Sequence, residues 1–127
     1  MWKAIIVYIT HHKVGCLFGC ASLAGVIQGD LELPLSYLYH KYKTPDDINI
    51  PALPERFQKM DYYPADYEGL SKAKRQLAPL VRGYAALGCY IGDGAVIDEQ
   101  FNTTDVFILL FTDRLRERNP QMFDGIE

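Results

Sequence analysis

The run Asp105-Val106-Phe107-Ile108-Leu109-Leu110-Phe111 constrains the fold more than any other stretch of the chain. Its apolar part, Val106–Phe111, is strand length and far below the ~20 residues that cross a bilayer. A second apolar run, Ala95-Val96-Ile97, stands just before it, separated by the polar loop Asp98–Thr103. That loop is too short for a crossover helix, so the two runs are expected to pair antiparallel. Gly92-Asp93-Gly94 breaks the earlier run off from Cys89-Tyr90-Ile91.

Upstream the apolar spacing changes. Trp2, Ile5, Ile6 and Ile9 recur at i, i+3, i+4 and i+7, the stripe of an amphipathic helix. Met1 precedes that stripe with no Ser, Thr, Asp or Asn to cap it, which implies a helix whose beginning is missing. Cys16–Leu23, short, apolar and bounded by glycines, is expected to be a buried strand. Gly29-Asp30 makes a turn. Leu35, Leu38, Tyr39 and Tyr42 then give helical spacing, with Pro34 in the first turn. Thr44–Pro54 carries three prolines and is expected to be a surface loop, Arg56–Asp61 a short strand and Tyr62–Gly69 another loop. Pro79 opens a further helix with Leu80, Tyr84 and Leu87 on one face, and Gly88 supplies its left-handed end. The pattern is one mixed α/β layer.

Composition excludes several classes. The chain has 127 residues, of which 49% are hydrophobic and 23% charged, enough for one core but not two. Sixteen acidic against 13 basic side chains leave a net charge of −3, the wrong sign for a general nucleic-acid binder. No basic segment followed by a signal-like apolar stretch marks the N-terminus for export. The three cysteines lack metal-type spacing and suit a reducing compartment, so a cytoplasmic protein is expected.

Three ordered words carry a resemblance. They are Lys3–Ile9 with Phe18-Gly19-Cys20-Ala21-Ser22, then Leu80-Val81-Arg82-Gly83-Tyr84-Ala85-Ala86-Leu87-Gly88, then the longest, Gly92 through Val106. Together they resemble the GNAT-related ornithine–acyl carrier protein N-acyltransferases, also called hemolysin-like acyltransferases, from the first helix to about Leu115. The resemblance implies the C-terminal portion of a GNAT-like α/β fold, a mixed sheet ending in an antiparallel strand pair. Residues 1–127 would form a single, partial acyltransferase domain. It implies transfer of a 3-hydroxyacyl group from the phosphopantetheine thioester of acyl carrier protein to the α-amine of ornithine, with no other cofactor bound. The lipid product suggests peripheral contact with the inner membrane face. The loop that grips the carrier's phosphates in this superfamily would lie upstream of Met1, so further polypeptide, an N-terminal half or a second copy, is expected to complete the site.

Amine attack on a thioester needs a proton acceptor for the amine and often a proton for the leaving thiolate. Asp98 is the candidate base. Asp93, Phe101, Asn102 and Asp105, around the same hairpin, are candidates for substrate binding; acidic partners suit the cationic amines of ornithine. Without the resemblance these residues are expected to be a hairpin loop in which Asp and Asn bond their own backbone. In many GNAT enzymes a tyrosine in the helix after the fifth strand protonates the thiolate, which makes Tyr39 the candidate acid; core packing is the competing role for Tyr37, Tyr39 and Tyr42. Lys72, Lys74, Arg75 and Arg82 form a basic cluster that an acidic carrier protein would match, or a merely solvated face. Cys16, Cys20 and Cys89 are expected to be buried packing residues, and His40 an exposed helix residue. His11-His12 with the nearby cysteines fits no common zinc spacing, and no metal is expected. The competing class of function is a non-catalytic remnant or partner subunit that pairs through an exposed sheet edge.

Overall fold

The computed structural model describes residues 2–27 and 29–126, so Met1 and the reading built on its missing cap lie outside the described residues. Helix α1 spans Trp2–His11 and buries Ile6 and Ile9, the inner half of the expected stripe. Lys13, at φ 55°, turns the chain out of it. Strand β1 (Cys16–Ala24) follows, then α2 (Glu32–Tyr42), α3 (Pro79–Leu87), the short strands β2 (Tyr90–Ile91) and β3 (Val96–Asp98), the long strand β4 (Thr103–Phe111) and α4 (Thr112–Arg118). Two 3₁₀ helices, Leu70–Gln76 and Pro120–Phe123, complete the elements.

The architecture is α/β, with an open sheet of four strands centred on β4. On one side β1 pairs with β4 along its whole length, from Cys16 opposite Phe111 to Ala24 opposite Thr103. On the other side β2 and β3 pair with successive parts of β4, antiparallel as the short loop requires. Gly92 sits at the break between them. A Cβ there would lie 2.7 Å from the Ile50 carbonyl and 3.2 Å from Phe107 Cβ, so only glycine admits the approach.

Strand parity places Leu17, Ala21 and Leu23 of β1 on the same face as Val106 and Leu110 of β4. The helices cover that face with two cores. The larger joins α2 (Leu35, Leu38) to Leu70, Ala73, Leu77 and Val81, and the smaller joins α1 to Cys89, Leu115 and Phe123.

Three local expectations need correction. Cys16–Leu23 is not a buried strand: β1 shows its outward face to solvent, Cys16 and Cys20 are exposed, and Phe18 is 72% accessible. An antiparallel strand covered by helices on one face only buries alternate side chains, and the apolar composition concealed this. Arg56–Asp61 is no strand either; its pairing shrinks to one bridge, Gln58 with Ala95. On α3 the buried pair is Val81 and Ala85, whereas Leu80 is 59% exposed. Gly88 does end that helix in the left-handed conformation, at φ 106°, and its N–H reaches back to the carbonyls of Ala85 and Tyr84.

The proline-rich segment after α2 runs along the outer edge of β2 and β3. Thr44 N–H donates to Ile91 O at 3.1 Å, Asp93 N–H to Ile50 O at 3.2 Å, and Ala52 N–H to Asp93 O at 2.8 Å. This edge is therefore covered, while the β1 edge has no strand paired to it among the described residues.

Candidate active site

The structure distributes the candidate residues over three places. The first is the tip of the β3–β4 hairpin. Asp98 Oδ1 accepts the Phe101 N–H at 3.1 Å, and Asn102 occupies the left-handed region at φ 53°, which its short polar side chain tolerates. Phe101 projects into solvent, 71% exposed. Asp105 lies further along β4, where its Oδ1 accepts hydrogen bonds from Ser22 Oγ (2.6 Å) and Thr103 Oγ1 (2.9 Å). Asp98 also borders an open polar cleft with Glu55, Arg56 and Gln58.

The second place is the C-terminal end of α2. Lys43 Nζ donates to the Tyr39 hydroxyl at 3.3 Å and stands 4.9 Å from the centre of that ring. Lys43 lines a cavity of about 180 Å³ together with Thr44, Asp46, Asn49 and Asp93. Its ammonium is held above the usual lysine range chiefly by the Tyr39 hydroxyl, with smaller contributions from Asp93 and Asp46. Lys43 thus connects two candidates, Tyr39 and Asp93, that lie more than fifty positions apart. Lys43, Asp46 and Asn49 were missed, because a proline-rich loop carries no periodic signal that shows which side it presents.

The third place is the basic cluster. Lys72, Lys74 and Arg75 ride on the 3₁₀ helix Leu70–Gln76 and Arg82 on α3, all four exposed. Lys74 and Arg82 meet at the rim of a small cavity with Tyr37 and Tyr42. Burial and the Tyr42 side chain push the Tyr37 phenol up to about 12, so it remains a protonated donor.

An apolar cleft of about 220 Å³ opens between α1, the sheet and α3, lined by Trp2, Ile5, Gly19, Tyr84, Cys89 and Leu110 among others. Gly19 contributes to its room: a Cβ there would meet no atom within 4 Å. Burial raises the Cys89 thiol to about 11, so it is a neutral lining group, as the packing expectation had it for this one cysteine. His40 is half-buried and not exposed, its Nε2–H donating to Tyr63 O at 2.8 Å. Ser36, wholly buried, accepts the N–H groups of Tyr62 and Tyr63 at 2.9 Å each, and so pins the loop across α2. Nothing in the spacing around Ser36 marked it.

Comparison with known proteins decides the relationship. An L-ornithine N(alpha)-acyltransferase of Brucella abortus is 43% identical over 118 residues, 93% of this chain and 42% of the relative. A protein of the same name from Rhizobium meliloti is 39% identical over 110 residues, covering 87% of this chain and 37% of the relative. A third, from Agrobacterium fabrum, is 34% identical over 125 residues, or 98% and 43%. This chain is a relative of the L-ornithine N(alpha)-acyltransferases. It spans about two fifths of the length of these acyltransferases. No family model and no solved structure matches it. Among the described residues no helix is long and apolar enough to cross a membrane.

Proposed function

We propose that this chain serves an N-acyltransferase that moves a 3-hydroxyacyl group from acyl carrier protein to the α-amine of ornithine. One observation carries the reading: alignments over 87–98% of the chain lead to proteins that share the name L-ornithine N(alpha)-acyltransferase. The apolar cleft beside Gly19 supports it, since an acyl chain needs a water-poor channel.

In the reaction the neutral amine attacks the thioester carbonyl. The C–N bond forms, the C–S bond breaks, the amine gives up a proton and the thiolate takes one. Asp98 is the proposed proton acceptor, directly or through a water; because Oδ1 holds the hairpin, the work falls to Oδ2. Tyr39 is the proposed donor. Lys43 donates to its oxygen and leaves the phenolic proton free to point elsewhere. Phe101, Asn102 and Asp105 line the approach on the same hairpin, and Lys72, Lys74, Arg75 and Arg82 meet the acidic carrier. On this reading the protein works in the cytoplasm and passes its product to the inner face of the membrane. Further polypeptide or a second copy closes the open β1 edge, in keeping with the share of the relatives that the chain spans.

The test is incubation with 3-hydroxyacyl carrier protein and L-ornithine, with lyso-ornithine lipid detected by mass spectrometry. Asp98→Asn and Tyr39→Phe are each expected to lower kcat about 10²-fold with little change in KM. Absence of product with every amine offered overturns the reading.

A further inference from the structure

The polar cavity beyond α2 sets one cation and two carboxylates around a space of about 180 Å³, the size of a single amino acid. Lys43, Asp46 and Asp93 give it a net charge of −1, with Asn49 and Thr44 adding neutral polar groups. A diamino acid carries the opposite pattern, one carboxylate and two ammonium groups, net +1. We infer that this cavity is the acceptor subsite, in which the Lys43 ammonium takes the carboxylate of the amino acid while Asp46 and Asp93 take its side-chain ammonium. The inference rests on the acyl-transfer reading for the identity of the acceptor, but the site stands on its own geometry.

That geometry is fixed by backbone pairing. Asp93 is held on both sides, its N–H bonded to Ile50 O and its carbonyl to Ala52 N–H, so its side chain is presented from a rigid position. Lys43 is anchored by its bridge to Ile91 and steered by Tyr39, which occupies one of its three N–H donors and leaves two for a carboxylate. Opposite charges lining one small cavity select for a zwitterion with an added cation. They select against simple diamines, which lack the carboxylate, and against monoamino acids, which lack the second ammonium. Tyr39, hydrogen-bonded to Lys43, then lies beside the bound acceptor.

Titration of the isotope-labelled chain with L-ornithine, followed by amide NMR, tests this directly. Saturable shifts are expected at residues 43–49 and at Asp93. Lys43→Met is expected to weaken ornithine at least about tenfold and not to weaken putrescine, which has no carboxylate for Lys43 to hold and is relieved of a neighbouring like charge. Asp93→Asn and Asp46→Asn should weaken ornithine more than a monoamino acid such as L-norvaline, which has no side-chain ammonium; both substitutions keep the backbone bonds that hold the loop. Shifts that map to the hairpin instead, failure to saturate, or an ornithine affinity indifferent to Lys43→Met overturns the inference. If ornithine binds here but no acyl group is transferred, the cavity stands and the enzymatic reading falls. If acyl transfer proceeds with unchanged KM for ornithine in Lys43→Met, the enzymatic reading stands and this assignment falls.

Discussion

Cysteine chemistry separates residues that look alike in sequence. Cys16 and Cys20 are exposed on the outward face of β1, whereas Cys89 is 2% accessible and its thiol is raised to about 11. Native protein treated with iodoacetamide near neutral pH should therefore label at Cys16 and Cys20 and spare Cys89 until the chain is unfolded, a pattern read by peptide mass spectrometry. The same shift has a sign in stability. A thiol whose folded pKa exceeds its unfolded value, about 9, stabilises the fold fully below pH 9; that contribution is lost as the pH rises toward and through 11. Urea midpoints measured between pH 8 and 11 should fall, and Cys89→Ala should flatten part of the fall. A Cys89→Ala profile as steep as wild type would assign the loss to other groups, Tyr37 foremost, whose phenol is raised to about 12. Local spacing could not distinguish these cysteines, because Cys89, just before β2, is buried by residues distant in sequence, Ile6 and Ile9 of α1 with Leu115 and Phe123.

At the scale of elements, α1, α2, α3 and β4 were legible because each repeats an apolar period or carries a terminator, as Gly88 does for α3. What stayed illegible is what depends on partners distant in sequence. The carbonyls at the end of α3 are satisfied by side chains of the last helical segment, Arg114 Nε to Gly88 O at 2.8 Å and Asn119 Nδ2 to Leu87 O at 3.2 Å. The 3₁₀ helix Leu70–Gln76 hid behind its lysines, since only Leu70 and Ala73 of it, with Leu77 just beyond, are buried. Likewise the words around Gly92–Val106 pointed to a hairpin, but not to the proline-rich segment that lies against it and brings Lys43 to Asp93. That crossing can be tested at Gly92. Gly92→Ala would drive a Cβ into the Ile50 carbonyl, and neither that backbone nor Phe107 can give way cheaply. A loss of about 1–3 kcal/mol in denaturant unfolding is expected, the range for overpacking. Gly19→Ala, with open space around it, should change stability by well under that amount.

The 127 residues carry a net charge of −3, so on the proposed acyl-transfer reading an acidic carrier protein approaching at random would be repelled. On that reading docking depends on local charge. Lys74 and Arg82, drawn from two elements to one small cavity, with Lys72 and Arg75 exposed on the same 3₁₀ helix as Lys74, are the side chains that oppose the overall sign. Reversing Lys74→Glu and Arg82→Glu together should raise the KM for acyl carrier protein about tenfold at low salt and leave kcat near its original value, because neither residue joins the bond-making groups. Screening fixes how the effect must vary: with a Debye length of about 8 Å at 0.15 M and about 3 Å at 1 M, the difference between variant and parent should shrink as salt is added. A small-molecule thioester donor, which has no acidic surface, should be used equally well by both proteins. A KM defect that persists in high salt, or that extends to the small donor, would mean that these side chains shape the Tyr37–Tyr42 cavity beneath them and do not steer a partner.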